Sequence, residues 1–199
     1  MKYRKDVNIE ELERVYSPDD DTFLMIDLIE IEEGEDVLEI GCGSGIISVY
    51  CALEGGEVTA VDKDDDALEL TRKNAFYNDV GLEEVKKSDL FSELVGVWDV
   101  IIFNPPYLPK DERLEKDDRW DGGERGDETI MRFLEQAVNY LYPDGRLYFC
   151  CSDKGPMVEI YRAIERYYDT VQQKERTYDF ETLYAFELSP LQDHYEFLP

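Results

Sequence analysis

Short apolar runs alternate with amphipathic segments along most of the chain. Seven segments are strand candidates, at residues 36–40, 57–61, 84–87, 98–103, 145–151, 170–175 and 182–188. The segments between them show a helical period. This alternation predicts an α/β domain with a seven-stranded, mostly parallel sheet and helices on both faces, in a Rossmann-like arrangement.

Three helices are predicted with particular clarity. In segments 127–142 and 155–168, apolar residues recur on one face with a period of about 3.6 residues, which is typical of helices packed on a core. A further helix is expected near the N-terminus, with Ser17 as its N-cap and Pro18 in the first helical position.

The pattern indicates a single domain over residues 1–199. Residues 1–14 are polar and predict a loosely packed N-terminal arm, and residues 109–126 are charged, glycine-containing and without apolar period. Loops of that length in compact domains are often functional, so we expect a substrate-side loop there. The N-terminus lacks the apolar segment of a secretory signal, and no run reaches the roughly 20 apolar residues of a membrane span. We therefore expect a cytoplasmic protein.

Acidic residues dominate the charge. The chain has 48 aspartates and glutamates against 21 lysines and arginines, a formal net charge of −27. Such a surface repels nucleic-acid phosphate, so we expect a protein or small-molecule substrate, without direct nucleic-acid contact and without membrane binding. Solubility in a salty cytoplasm is an alternative reason for the excess of acid.

Metal and disulfide chemistry are not indicated. The four cysteines form no C-x-x-C pair, and the chain has one histidine, His194. We expect reduced, buried thiols and no metal site.

A glycine cluster follows the first strand. Gly41, Cys42 and Gly43 begin a G-x-G-x-G turn between that strand and a helix, where glycines allow a sharp turn and a close ligand approach. Asp62 ends the second strand, about 20 residues later, where an acid suits ribose hydroxyls. Asp89 follows the third strand. Each feature alone also fits an ordinary turn or cap, but three at successive strand ends predict a nucleoside-containing ligand.

The most specific motif is Asn-Pro-Pro-Tyr, residues 104–107, at the end of the fourth strand. Prolines cannot continue a central strand and restrict the residue before them to extended conformations. Asn104 should therefore be held at the carboxyl end of the strand, beside the aromatic face of Tyr107.

Such a motif can hold a planar NH₂ group. An amide or aryl amine nitrogen is a poor nucleophile because its lone pair is delocalised. Hydrogen bonds from its two N–H groups to the Asn104 side-chain oxygen and the Pro105 carbonyl would orient the lone pair and stabilise the developing positive charge. The motif itself leaves the acceptor open between an exocyclic base amine and a glutamine amide.

The glycine turn, the two acids and the Asn-Pro-Pro-Tyr motif together resemble class I S-adenosylmethionine methyltransferases over nearly the whole chain. The resemblance implies S-adenosyl-L-methionine as cofactor. It implies catalytic roles for Asn104, Pro105, Pro106 and Tyr107. It also implies cofactor contacts from Tyr16, Thr22, Glu39, Gly41, Cys42, Gly43, Asp62, Lys63, Asp89, Leu90 and Asn104.

Two further segments are similar to HemK-type protein-glutamine methyltransferases of the archaeal and eukaryotic branch. These are VYSPDDDTFL at 15–24, and NPPYLP at 104–109 followed by WDGGERG at 120–126. The resemblance implies methylation of the glutamine in the Gly-Gly-Gln motif of a class-1 peptide release factor, with a small zinc-binding activator subunit. The chain departs from the usual pattern at Asp20, where a glutamate is common. Alternatives are a methyltransferase of an exocyclic base amine, a protein lysine methyltransferase, and a binding module without activity.

Overall fold

Seven strands and five helices alternate in the computed structural model, which describes residues 7–106 and 128–192. All seven predicted strands are present, most of them at or within a few residues of the predicted bounds. In chain order the elements are α1 Asp20–Ile26, β1 Asp36–Ile40, α2 Ile46–Leu53, β2 Glu57–Asp62, α3 Asp65–Tyr77, β3 Glu84–Lys87, β4 Trp98–Phe103, α4 Glu128–Ala137, β5 Leu141–Ser152, α5 Met157–Tyr167, β6 Tyr168–Thr177 and β7 Thr182–Pro190.

The strands form one sheet in the order β3-β2-β1-β4-β5-β7-β6. The five strands from β3 to β5 run parallel, and β7 pairs antiparallel with both β5 and β6. Strand order reverses between β1 and β4, because the chain moves outward from β1 to β3 and then returns to the other side of β1. A crevice therefore opens at the carboxyl ends of β1 and β4, the usual ligand position in such sheets.

The helices form two packed groups. Helix α2 contacts both α1 and α3, and α4 contacts α5. Crossovers between parallel strands are right-handed as a rule, which puts these groups on opposite faces of the sheet, and the central strands β1 and β4 are buried. The four cysteines are free and buried in this core, as expected. In residues 7–106 and 128–192, no helix is long and apolar enough to cross a bilayer.

The predicted helix over 127–142 is too long. Helix α4 ends at Ala137, and Leu141 already belongs to β5, opposite Trp98. Pro143 disfavours a helical conformation for Tyr142, the residue before it. Leu141 is buried as predicted, but as a strand residue, because one buried apolar side chain satisfies either period.

Ser17 is not the N-cap of the first helix. Helix α1 begins at Asp20, and Asp19 is its N-cap, with an extended backbone and a side chain that accepts a hydrogen bond from the Asp20 amide. Aspartate caps a helix as well as serine does, so the three consecutive aspartates allow a start later than Pro18.

The N-terminal arm is attached more closely than predicted over residues 7–14. The Asn78 side chain accepts from the Asn8 amide and donates to the Asn8 carbonyl, at 2.9 and 2.7 Å. Asn74 makes the same pair of bonds with Glu10, at 2.8 and 2.9 Å. Carboxamides of α3 and its C-cap thus satisfy the backbone amides and carbonyls of this segment, as a neighbouring strand would do. The polar sequence alone did not indicate this.

Candidate active site

A cavity of about 340 Å³ lies at the carboxyl ends of β1, β2 and β4. Every described residue of the predicted site lines it. From the glycine turn and the strand ends these are Glu39, Gly41, Cys42, Gly43, Asp62, Lys63, Asp89, Leu90, Asn104, Pro105 and Pro106; from the N-terminal segment they are Tyr16 and Thr22. Tyr107 and the predicted loop at 109–126 lie outside the described residues.

The glycine turn and Asp62 form one unit. The Gly43 amide donates to Asp62 Oδ2 at 3.0 Å, and the Asp64 amide donates to Asp62 Oδ1 at 2.9 Å. A Cβ on Gly41 would come within 2.9 Å of the Phe103 ring, so only glycine fits beside β4. Burial raises the pKa of Asp62, although the backbone hydrogen bonds oppose that effect. The carboxylate is therefore held at the cavity wall with part of its hydrogen-bonding capacity still available.

The turn after β3 places Leu90 and Asp89 differently. Leu90 is buried and adopts a left-handed backbone, with a φ of 51°, which is uncommon for a bulky residue and often marks a functional constraint. The Ser88 hydroxyl supports this turn by donating to the Leu90 carbonyl at 2.7 Å. Asp89 is exposed and forms an ion pair with Arg132 at 3.3 Å. Leu90 therefore contributes an apolar wall, and Asp89 a charged rim.

Glu39 and Cys42 lie at the floor of the cavity. Glu39 is 3% exposed and forms a hydrogen bond with the Ser48 hydroxyl. Burial raises the pKa of Glu39 to about 8, partly opposed by Ser48. Cys42 is buried too, and the Thr71 hydroxyl lies 3.2 Å from its sulfur. The wall at this point is thus a largely neutral acid beside a thiol, rather than a pair of fixed charges.

The N-terminal segment closes the cavity through a buried aspartate. Asp21 is 3% exposed, and its Oδ1 accepts from the Tyr16 hydroxyl at 2.7 Å, from the Thr22 amide at 2.5 Å and from the Thr22 hydroxyl at 3.1 Å. Burial and the adjacent Asp21 raise the pKa of Tyr16, so the phenol keeps its proton. The segment that begins α1 is thereby joined to the site.

Asn104 lies in the cavity wall directly after β4, as predicted. Its amide nitrogen donates to Thr22 Oγ1 at 3.2 Å, and its oxygen accepts from the Cys150 thiol at 2.7 Å. Burial raises the pKa of Cys150, so the thiol keeps its proton. Pro105 is buried and Pro106 is half-buried beside it. The carboxamide is therefore held from two sides by residues far apart in the chain.

The sequence analysis missed several residues of the site. Arg14, Phe103, Thr129 and Arg132 also line the cavity, and Cys150 contacts Asn104 from the neighbouring strand. Arg132 looks like any charged residue of an exposed helix face, so no sequence signal distinguished it. The burial of Asp21 could not be read from three consecutive aspartates either, because a helical start can bury only one of them.

The cavity suits a cationic ligand with a nucleoside. Besides the largely neutral Glu39, its wall carries four aspartates, Asp21, Asp62, Asp64 and Asp89, against three bases, Arg14, Lys63 and Arg132. A sulfonium and an ammonium group would be stabilised by such an excess of acid. Asp62 can accept hydrogen bonds from ribose hydroxyls, and Leu90 and Ala67 offer apolar surface for a base. The residues present thus fit S-adenosylmethionine.

Comparison with known proteins identifies the family of the chain. The family model of the methyltransferase small domain matches residues 7–184. A provisionally assigned protein N5-glutamine methyltransferase of Methanocaldococcus jannaschii is 40% identical over 136 residues, which cover 66% of this chain and 68% of that protein. Methyltransferase HEMK2 of Mus musculus is 31% identical over 166 residues, which cover 76% of this chain and 78% of that protein.

A bacterial relative and a solved structure extend the comparison. Release factor glutamine methyltransferase of Lactococcus lactis is 32% identical over 158 residues, which cover 72% of this chain and 58% of that protein. A crystal structure of a methyltransferase from Pyrococcus furiosus has a TM-score of 0.73 at 21% identity and covers 96% of this chain and 92% of its own. That likeness shows the same fold.

We predict that Asp62→Ala weakens the binding of S-adenosylmethionine. Loss of hydrogen bonds to a charged acceptor costs about 1.5–3 kcal/mol, which corresponds to about 10- to 100-fold in the dissociation constant. Isothermal titration calorimetry measures this change. Asp65→Ala is the control, because the Asp65 side chain is 79% exposed and lies outside the cavity wall. An unchanged dissociation constant in Asp62→Ala would exclude the assigned role.

We also predict that Glu39 makes stability depend on pH. The folded pKa of about 8 exceeds the ordinary value of 4.5, so between these values only the unfolded chain releases the proton. Its contribution to stability is complete below pH 4.5 and is lost as pH rises through 8, by at most about 1.4 kcal/mol per pH unit. Relative to Glu39→Gln, the wild type should therefore lose stability from pH 5 to pH 8 in urea unfolding.

The control for this comparison is Glu57→Gln, which changes an exposed glutamate at the start of β2. Its difference from the wild type should stay constant over the same pH range. A Glu39→Gln curve parallel to that of the wild type would show that the Glu39 carboxyl is ionised in the folded protein.

Proposed function

Because the chain belongs to the methyltransferase small domain family, we propose that it methylates the side-chain amide nitrogen of a glutamine, with S-adenosylmethionine as methyl donor. The acceptor is the glutamine of the Gly-Gly-Gln motif in a class-1 peptide release factor. Relatives named as protein N5-glutamine, release factor glutamine and HEMK2 methyltransferases support this assignment and confirm the resemblance to HemK-type enzymes.

The observation that carries the proposal is the position of Asn104. Its carboxamide lies in the wall of the cavity that holds the glycine turn and Asp62, and it is fixed by Thr22 and Cys150. A carboxamide oxygen has two lone pairs; the Cys150 thiol uses one, so Oδ1 can still accept from an acceptor amide N–H. A planar NH₂ group can therefore be held at the edge of the cofactor cavity.

The chemistry of the chain's own residues follows from that contact. Bound S-adenosylmethionine supplies an electrophilic methyl group. Hydrogen bonds to Asn104 and to the Pro105 carbonyl would orient the acceptor amide nitrogen toward that methyl group, which would replace a bimolecular encounter with an oriented one. As the nitrogen–carbon bond forms and the sulfonium–methyl bond breaks, positive charge would move from sulfur to nitrogen, where the two oxygens would stabilise it until the proton passes to solvent. The reaction needs no strong base.

The charge of the chain favours a protein acceptor over a nucleic acid. A net charge of −27 opposes the phosphate contacts that supply most nucleic-acid affinity, whereas a basic protein surface would be attracted. We place the protein in the cytoplasm, since translation factors act there and four free, buried cysteines suit a reducing compartment.

We predict that Asn104→Ala lowers turnover by about 10²-fold or more while cofactor affinity stays close to that of the wild type, because one preorganised acceptor is lost at the reacting nitrogen. The assay incubates the protein with labelled S-adenosylmethionine and a recombinant release factor. Mass spectrometry of the Gly-Gly-Gln peptide then locates the added methyl group on the glutamine.

Two controls accompany this experiment. Asn139→Ala changes an exposed asparagine outside the cavity and should retain full activity. A release factor with asparagine in place of the target glutamine should take up no label. Label in tRNA, ribosomal RNA or DNA but not in the release factor would replace the proposal with a base amine methyltransferase. Wild-type turnover in Asn104→Ala would disprove the role of that residue.

We further propose a small zinc-binding activator subunit as partner, as the resemblance implies. The described sheet ends in β3 on one side and β6 on the other, and an exposed strand edge is a common docking site. Co-expression with such a subunit should give a stable complex, with slower amide hydrogen exchange in one of these two strands. A methyltransferase that is fully active alone and retains no subunit on purification would contradict this partner.

A further inference from the structure

The Asn104 carboxamide has two possible orientations, in which its oxygen and its NH₂ group exchange places. The oxygen and the NH₂ group have almost the same size and shape, so packing alone cannot distinguish the two orientations, and only hydrogen-bonding partners can. For methyl transfer the difference is decisive, because an oxygen accepts from the acceptor amide, whereas an NH₂ group would repel it.

Asp21 determines the orientation of the Asn104 carboxamide. The Asp21 Oδ1 accepts from the Tyr16 hydroxyl, the Thr22 amide and the Thr22 hydroxyl, so each of these groups donates a hydrogen bond to that oxygen. The Thr22 hydroxyl lies 3.1 Å from this oxygen and directs its single proton there. The lone pairs of Thr22 Oγ1 then face Asn104, and Thr22 can only accept from the carboxamide. The NH₂ group of Asn104 is accordingly the end 3.2 Å from Thr22.

Cys150 acts on the opposite end. Its buried thiol, on the strand next to β4, donates to Asn104 Oδ1 at 2.7 Å. A thiol can also accept weakly, so Cys150 alone would tolerate either orientation of the carboxamide. The orientation of the carboxamide is therefore set by Asp21, and the Cys150 thiol adds a hydrogen bond to the oxygen end.

Tyr16 and the backbone keep Asp21 in place. The Tyr16 hydroxyl donates to the same oxygen at 2.7 Å, and the Thr22 amide donates to it at 2.5 Å. Neither hydrogen bond depends on the direction in which the Thr22 hydroxyl donates. They hold the Asp21 carboxylate in place as the acceptor for the Thr22 hydroxyl, which in turn contacts Asn104.

We propose that Asp21 is a positioning residue for methyl transfer: through the Thr22 hydroxyl it sets which end of the Asn104 carboxamide is oxygen at the acceptor site. The inference rests on the proposed function. Asp21 lines the cavity as well, but in this role it acts on Asn104 through Thr22 and not on the reacting atoms.

The test is a double-mutant cycle of Asp21→Asn and Thr22→Val, with the release factor as substrate and saturating S-adenosylmethionine. Asn at position 21 can both donate and accept, so it no longer sets the direction of the hydroxyl. In the wild-type background Asp21→Asn should lower kcat by about 10-fold, the loss expected for one oriented hydrogen bond. In the Thr22→Val background it should change kcat by less than about 2-fold, because the relay is already absent.

A second measurement does not depend on turnover. In protein labelled with ¹⁵N-asparagine and free of cofactor, the Asn104 side-chain NH₂ resonances are assigned by their loss in Asn104→Asp. They should form one set in the wild type, and should broaden or split into two sets in Asp21→Asn as both orientations become populated. Thermal unfolding of each variant shows whether α1 stays folded.

Asp27→Asn is the control: Asp27 is the C-cap of α1, at the end away from the cavity, where its side chain forms a 3.8 Å ion pair with Arg176. It should keep both kcat and the Asn104 resonances. Equal losses of kcat from Asp21→Asn in both backgrounds, or a single unchanged Asn104 resonance set, would overturn the positioning role. If the wild type methylates no release factor, the proposed function fails instead, and the resonances still report on the orientation of Asn104.

Discussion

The site depends on the orientation of the Asn104 carboxamide, which the shape of the side chain alone cannot determine. Asn104 has two ends of equal size, and its partners come from α1 and β5, elements that lie on either side of it in the chain. The parallel pairing of β4 with β5 places Cys150 next to Asn104, one position beyond the pair Phe103 and Phe149. The strained turn after β3 and the glycine turn after β1 open at the same edge, so the carboxamide and the cofactor cavity share one wall.

Acidity serves different purposes in different parts of the molecule. At the surface, the net charge of −27 gives the protein a negative electrostatic field. In the cavity, acids differ by their surroundings: burial keeps Glu39 largely neutral, whereas Asp62 is held by backbone amides and Asp21 by a phenol, a hydroxyl and an amide. Carboxyl groups thus serve as a hydrogen-bonding acid at Glu39, as a ligand acceptor at Asp62 and as the group that orients Asn104 at Asp21, because burial and hydrogen-bond donors give them different properties.

Local patterns predicted the fold well where one local interaction decides the structure. The central strands β1 and β4 follow from apolar runs, since a strand buried on both faces must be apolar throughout. The errors arose where two local solutions were equally good. Leu141 fits the helical stripe of 127–142 and also the start of β5, and the helix ends earlier because Pro143 follows. Ser17 and Asp19 are both suitable caps, and the structure uses Asp19.

By itself, the sequence determined the sheet, the glycine turn, the acids at the strand ends and the Asn-Pro-Pro motif, because each is a property of neighbouring residues whose backbone conformation is restricted. Only the tertiary structure decided which of three consecutive aspartates is buried, which cysteine faces Asn104 and where Arg132 joins the wall. The contacts of Asn104 with Thr22 and Cys150 join residues 82 and 46 positions apart in the sequence. Hydrogen-bond direction is a property of the assembled network, so no segment of the chain could specify it alone.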